Sequence, residues 1–164
     1  MIEEIMMISA VITTVFMTLC FVMDIRERMI YAFPCVMLIP FWLVLGIVAT
    51  HRAALIGIIF ALHMLAYFIF KTARIWGDGD SDVFLLYGTV FMTAVFTGKY
   101  EIGIAWYILA ELVGIIIALF ISLVIGIMEA IIRKKMIEKT SSVAVVPGFS
   151  VVIAGLLTKM IIVG

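Results

Sequence analysis

The chain has 164 residues, of which 66% are hydrophobic and 13% are charged, and its mean hydropathy is +1.35. This composition excludes an ordinary water-soluble domain, and eleven basic residues balanced by eleven acidic ones offer no surface for nucleic acid. A membrane-spanning helix takes roughly 20 mostly apolar residues, so six such helices use most of the chain. We therefore predict one all-α integral membrane domain over residues 1–164, with no separate soluble part.

Uninterrupted apolar runs predict six transmembrane helices joined by short loops. In chain order the runs cover residues 5–23, 30–50, 53–70, 83–97, 102–132 and 143–164. The segment before the first run lacks the positive charges of a cleavable signal peptide, so we expect the first helix to remain in the protein. The fifth run has 31 residues, and we expect it to continue past the membrane as an amphipathic extension that includes Glu129, Arg133 and Ile137.

The distribution of basic residues predicts which loops face the cytoplasm, because cytoplasmic loops retain Lys and Arg. Eight basic residues fall in the first, third and fifth loops, namely Arg26, Arg28, Lys71, Arg74, Arg133, Lys134, Lys135 and Lys139. The other side has three, namely Arg52, Lys99 and Lys159. We therefore predict that the odd-numbered loops are cytoplasmic and that both termini face outside.

The chain has two cysteines, Cys20 and Cys35, and no histidine stands near either of them in the sequence. This number and spacing are too sparse for a disulfide framework or a zinc ribbon. We expect two free thiols in the helical core, no metal site and no cofactor.

Two acidic clusters fall on the predicted cytoplasmic side. Asp24 stands where the first helix leaves the membrane, and the third loop reads Gly-Asp-Gly-Asp-Ser-Asp over residues 77–82. The apolar run that follows is 15 residues long. It would form about 22 Å of helix against a hydrocarbon core of about 30 Å, so we expect the glycine loop to dip inward. Irregular backbone at that depth must line a cavity or be buried in protein, and we predict a cavity beside Asp24 and Asp80.

Two carboxyl groups within a few ångströms of each other cannot both ionise at low cost, so one pKa rises and the pair shares a proton. The ionised member can take a proton from water while the protonated member donates to the carbonyl oxygen of a peptide bond. Asp24 and Asp80 could carry out aspartic proteolysis in this way. Solvated charges at a membrane edge are the simpler interpretation, and composition alone leaves both open.

At these residues the sequence resembles the type IV prepilin peptidase family, which includes the archaeal preflagellin and prepilin-like peptidases. These are membrane aspartic proteases with a G-x-G-D signature, which residues 77–80 match. Residues 24–31 look like the family segment that begins with an earlier catalytic aspartate, although Tyr31-Ala32 replaces the usual Pro-Asn pair. Residues 146–151, followed by Gly155, are similar to the family's carboxyl-terminal pattern. Asp82 stands where the family commonly has a basic residue.

The resemblance implies a six-helix GxGD protease fold in which Asp24 and Asp80 are the catalytic pair and Gly77 and Gly79 shape the loop. It implies an aspartic endopeptidase of a prokaryotic cell membrane with its active site facing the cytoplasm. Its partners would be type IV prepilins or preflagellins, whose class III signal peptides carry a short basic leader that is removed. The first loop is too short for the zinc-binding insertion of bifunctional relatives, so we predict proteolysis and no methyl transfer.

The same geometry suggests how a substrate would bind. We expect the carboxylates of Glu27, Asp78 and Asp82 to attract the basic leader, and apolar grooves beside the helices to hold the mature segment in the lipid bilayer.

Two other functions stay open. Asp78, Asp80 and Asp82 alternate like the start of a calcium loop, but Val83 and Thr89 stand where that loop requires Gly and Glu. A small polytopic transporter or cation-binding membrane protein could use the three acids as an ion pathway. A presenilin-type protease also shares the G-x-G-D signature, but this chain is too short for its nine-helix scaffold.

Two ionisable residues fall inside predicted spans. Glu111 lies in the fifth run, where a charge is costly, and we expect it to be protonated and hydrogen-bonded to Thr, Ser or Tyr on a neighbouring helix. His63 lies in the third run, and we expect it to make a structural contact between helices.

Overall fold

The computed structural model describes residues 2–27, 32–74, 76–98, 102–132 and 145–163. Over these ranges the chain forms the six predicted helices, α1 (Ile2–Glu27), α2 (Ala32–Thr50), α3 (Ala53–Thr72), α4 (Asp78–Phe96), α5 (Ile104–Ile132) and α6 (Val146–Val163). Three of them, α1, α3 and α5, are long and apolar enough to cross a membrane. The all-α prediction is confirmed, and the apolar helices are compatible with a membrane protein.

The surface of the bundle is apolar and its interior contains many hydroxyl groups. Trp106 and Ile131 are each 69% exposed, and most of the outward side chains of α3 and α5 are aliphatic or aromatic. The buried polar side chains are mainly small, namely Ser9, Thr13, Ser81, Thr89, Thr93, Ser122 and Ser150. A soluble domain has the opposite distribution, whereas lipid favours apolar exteriors and small polar residues between helices.

α4 is the central helix of the bundle. Every residue from Ser81 to Thr93 is buried, and α2, α3 and α6 pack against it. α1 packs chiefly on α6, and α5 also packs on α6. α4 is therefore surrounded by other helices, although its sequence is no more apolar than theirs.

Hydrogen bonds made by side chains of Trp42 and Thr93 join α1, α2 and α4. The indole Nε1 of Trp42 donates to the hydroxyl of Thr13 at 2.9 Å, and the hydroxyl of Thr93 lies 3.1 Å from the Trp42 carbonyl oxygen. Trp42 is fully buried, so these bonds are made away from water. They fix the register of the three helices.

Several helix termini meet at one end of the bundle, which we call the acidic end. It comprises the last turns of α1 and α3 and the first turns of α2, α4 and α6. The thiol of Cys35 in α2 lies within electrostatic range of Cys20 in α1 and of the Asp82 carboxylate in α4. Trp76, just before α4, contacts Phe149 of α6 with ring centroids 6.0 Å apart. Both cysteines are free and buried.

The direction of the chain reverses sharply between α2 and α3. The connection is two residues long, and His51 adopts a left-handed backbone with φ of 55° to make it. Because a link this short cannot cross the bundle, α3 returns antiparallel to α2. The opposite termini of α2 and α3 therefore lie together at the acidic end.

α5 extends well beyond its contact with α6 at the acidic end. The Ser122 hydroxyl donates to the Val145 carbonyl oxygen at 2.8 Å, and α5 continues from there to Ile132. The amphipathic extension expected toward Ile137, with Arg133, Lys134, Lys135 and Lys139, lies outside the described residues. So do Arg28, Tyr31 and Lys99.

Candidate active site

Asp24 lies at the inner side of α1, one turn before the helix ends. The buried side chains of this helix include Thr13, Met17, Cys20 and Asp24, which recur at intervals of three or four residues. This spacing puts them on one face of the helix, which packs against its neighbours. Asp24 is only 7% exposed, so its carboxyl group belongs to the interior of the acidic end.

The signature residues form the start of a helix where the sequence predicted an irregular loop. α4 begins at Asp78 with Gly77 as its N-cap, and Gly79 lies half-buried in the first turn. Acidic side chains are favourable there because the first backbone N–H groups of a helix lack partners and carry partial positive charge. The two acids in this turn therefore stabilise the helix that they begin.

The carboxylate of Asp80 is held against the N-cap. Its Oδ2 accepts a hydrogen bond from the backbone N–H of Gly77 at 3.2 Å. A β-carbon added to Gly77 would lie 3.1 Å from the same oxygen, tighter than an ordinary contact. A glycine at position 77 thus leaves room for the Asp80 carboxylate, which is half-buried.

Asp82 is buried and tied to α3. It is 8% exposed, and the hydroxyl of Tyr67 donates to its Oδ1 at 3.1 Å. Lys71 donates to the Tyr67 oxygen at 2.9 Å. Burial raises the pKa of Asp82 above its ordinary value, against the opposing effects of the Tyr67 hydrogen bond and the positive charge of Lys71.

The other two acids that we expected to attract a leader are at the surface. Glu27 is exposed at the end of α1, and the side chain of Asp78 is 83% exposed, 3.5 Å from the ammonium of Lys71. Buried Asp82 is therefore poorly placed for a leader contact, whereas Glu27 and Asp78 are accessible.

The structure brings Asp24 and Asp80 to the same end of the bundle without packing their helices together. Every described Cα of α1 is more than 8 Å from every Cα of α4, because α2 and α6 lie between these helices. A water molecule could contact both carboxylates only if the two side chains extend toward each other. The Cys20 thiol lies within electrostatic range of Asp24, and the Cys35 thiol lies within electrostatic range of Asp82.

Aromatic side chains surround the start of α4. This aromatic cluster was not predicted from the sequence. Trp76 packs against Phe70 and Phe84 with ring centroids 4.5 and 5.3 Å apart, and also contacts Phe149. These rings come from α3, α4 and α6. They anchor the residue just before Gly77 and so fix the position of the signature.

The three alternating acids have different surroundings. Asp78 faces solvent beside Lys71, Asp80 caps the helix, and Asp82 is bonded to Tyr67. Within the described ranges, no three His, Cys, Asp or Glu side chains are grouped as ligands of one metal ion.

Glu111 and His63 contact each other, a pairing that the sequence analysis missed. The Nε2 of His63 contacts the Oε1 of Glu111, and both side chains are almost fully buried. Tyr87, of the residue type expected as a partner, instead donates to the backbone carbonyl oxygen of Glu111 at 3.2 Å. The sequence signal was present, since each is an isolated ionisable residue within an apolar helix.

The chain matches no protein-family model, no curated protein and no solved structure. The family resemblance therefore stays a prediction carried by residues 24–31, 77–80 and 146–155.

Proposed function

We propose that this protein is a membrane aspartic endopeptidase that removes the basic leader from class III signal peptides of type IV prepilins or preflagellins. The observation that carries the proposal is the position of Asp24 and Asp80 at the same end of the bundle, 56 positions apart in the sequence. The carboxyl group of Asp24 lies in the interior, and that of Asp80 is half-buried at the N-terminus of α4.

The two carboxyl groups have different surroundings, as an acid and base pair requires. In the proposed division of roles, Asp80, which accepts a backbone N–H bond at the start of α4, is the base, and buried Asp24 is the acid. In the proposed reaction ionised Asp80 takes a proton from water, and the hydroxide attacks the peptide carbonyl carbon. Asp24 donates its proton to the carbonyl oxygen. Collapse of the tetrahedral intermediate then breaks the C–N bond, while Asp80 gives the leaving amine the proton that it took from water and a hydroxyl of the intermediate returns a proton to Asp24.

The surface charges support the proposed substrate class. Glu27 and Asp78 are exposed at the acidic end, where a short basic leader could contact both. The apolar outer faces of α1, α3 and α5 are suited to the lipid bilayer in which the mature helix of a prepilin would lie. We place the acidic end in the cytoplasm of a prokaryotic cell and both termini outside, from the distribution of basic residues.

A cleavage assay in liposomes tests the proposal. The substrate is a precursor with a basic leader and an apolar helix, and mass spectrometry identifies the new amino terminus. We expect Asp24→Asn and Asp80→Asn each to lower the cleavage rate more than about 100-fold. Asp78→Asn, which removes an acid from the same helical turn as Asp80, should retain kcat at saturating substrate, because Asp78 is proposed to bind the leader and not to take part in the reaction.

Control measurements separate this function from the alternatives. Each variant must insert into the membrane in the same amount as the wild type. Loss of cleavage on chelation would point to a metal-dependent reaction. Absence of cleavage by the wild-type protein, combined with ion flux that Asp80→Asn abolishes, would replace the endopeptidase with a transporter.

A further inference from the structure

The contact between His63 and Glu111 joins two helices whose backbones do not pack together. His63 is in the middle of α3 and Glu111 lies two turns into α5, and their side chains are 8% and 12% exposed. Every described Cα of α3 is more than 8 Å from every Cα of α5. The pair therefore bridges across α4.

Two glycines make room for this bridge. A β-carbon on Gly88 of α4 would lie 2.5 Å from the Nε2 of His63 and closer still to its Cδ2. A β-carbon on Gly114 of α5 would overlap the hydroxyl of Tyr87. The imidazole thus crosses α4 at a position that has no side chain, and Tyr87 reaches the backbone of α5 at another. The contact between His63 and Glu111 therefore depends on glycines at these two positions in the packed helices.

The hydrogen bonds of His63 fix the number of protons. Its Nδ1 lies 2.9 Å from the carbonyl oxygen of Ile59. A carbonyl oxygen only accepts, so Nδ1 carries a hydrogen, and the contact of Nε2 with Glu111 then needs one more proton between the two atoms. Imidazolium with carboxylate, or imidazole with carboxylic acid, both satisfy this count and both have no net charge.

Other proton numbers are unfavourable in a low-dielectric interior. Without the shared proton, the lone pair of Nε2 would face a carboxylate and the site would carry a negative charge. With an additional proton the site would carry a positive charge. An uncompensated charge buried in an apolar region is costly. The pair therefore keeps one shared proton, and no net charge, over a wide pH range.

The groups around the pair add no second charge. α4 contributes Tyr87, and α5 contributes Tyr107, which lies one turn before Glu111. α2 has no charged residue in its described helix, and Lys159, the charged residue of α6, is exposed. The buried Tyr107 hydroxyl lies close enough to Glu111 to interact with its carboxyl group, and it is a neutral polar neighbour of the pair.

We propose that His63 and Glu111 together form an intramembrane proton-binding site, in which one proton held between Nε2 and Oε1 ties α3 to α5 across Gly88. The ligand is the proton itself. The site is separate from the proposed peptidase chemistry and would exist whatever reaction the acidic end performs.

Nitrogen-15 spectra of the two histidines test the proton count in the purified full-length protein. His51 is exposed and serves as a reference, and an Asn substitution at that position assigns the signals. We expect His63 to show a protonated Nδ1, a proton shared at Nε2, and unchanged signals from pH 5 to pH 8. In Glu111→Gln the amide can donate to Nε2, so His63 should become a neutral imidazole with Nε2 as acceptor. Signals of His63 that move with pH alongside those of His51, or that ignore Glu111→Gln, would overturn the proposal.

Thermal unfolding tests the tie between the helices. Glu111→Ala should lower Tm by about 5 °C, whereas Glu111→Gln, which can keep a hydrogen bond, should restore most of the loss. Raising the pH from 7 to 10 should lower the Tm of the wild type more than that of Glu111→Gln, which has no proton to release. Glu129→Gln, on the same helix, is the matched control and should behave like the wild type. Equal pH dependence in the wild type and Glu111→Gln would reduce the pair to an ordinary hydrogen bond and refute proton binding.

Discussion

Replacing Gly148 by Ala should loosen the packing of α6 on α5 at the acidic end. A β-carbon at this position would overlap the carbonyl oxygen of Ala118 and lie 2.7 Å from its carbonyl carbon. These are backbone atoms of α5, so neither can turn away as a side chain could. The Gly148 N–H also donates to the Ser122 hydroxyl at 3.0 Å, and that bond would be strained.

The expected magnitude follows from two opposing effects. Overpacking against a fixed backbone costs about 3 kcal/mol, and Ala gains about 1 kcal/mol over Gly in a helix, which leaves a net loss of about 2 kcal/mol. For a domain of this size, that corresponds to a fall in Tm of about 4–8 °C.

Gly155 is the matched control, because it lies on the same helix and a β-carbon there would meet nothing within 4 Å. Gly155→Ala should leave Tm unchanged or raise it by up to about 4 °C. A thiol-reactive fluorophore can report unfolding in detergent, since Cys20 and Cys35 are free and buried until the bundle opens. Equal Tm values for the two variants would refute the close approach of α5 and α6.

Trp42→Phe removes the hydrogen bond to Thr13 and should lower Tm by about 5 °C, whereas exposed Trp106→Phe should leave it within about 1 °C in the same melting assay. Burial raises the pKa of Asp82 above its ordinary value, so the folded chain binds this proton more tightly than the unfolded chain, and stability falls as the pH rises through the raised pKa. Asp82→Asn should flatten the decline in denaturant titrations from pH 4 to pH 7, and an unchanged slope would contradict the assigned burial. Glu27→Gln combined with Asp78→Asn removes two exposed charges, each worth about 0.5 kcal/mol, so steady-state kinetics should show KM for a basic leader rising about fivefold with kcat little changed. An unchanged KM would exclude them from leader binding.

The sequence predicted the number and type of helices because each apolar run is a local property. The sequence also indicates that Asp24 lies on the buried face of α1, because Thr13, Met17, Cys20 and Asp24 have the spacing of one helix face. It could not predict that α4 is the central helix, because burial depends on which helices surround it. The 15-residue run was interpreted as a short crossing beside a loop, whereas acidic capping extends the helix back to Asp78.

The pairing of His63 with Glu111 shows a different limit. The sequence revealed two isolated ionisable groups, but α3 and α5 have no backbone contact from which a pair could be inferred. Their meeting depends on Gly88, a residue of a third helix. Contacts that need three elements in register are determined by packing, which periodicity along one helix does not encode.

The pH dependence of leader cleavage by the wild-type protein tests most directly whether two carboxyl groups act together. If one carboxylate accepts a proton from water while the other donates one, kcat/KM must have both an acidic and a basic limb. We predict this two-limbed profile, and we predict that Asp78→Asn retains both limbs. A rate that rises continuously from acid to alkaline pH would contradict the separate base and acid roles of Asp80 and Asp24.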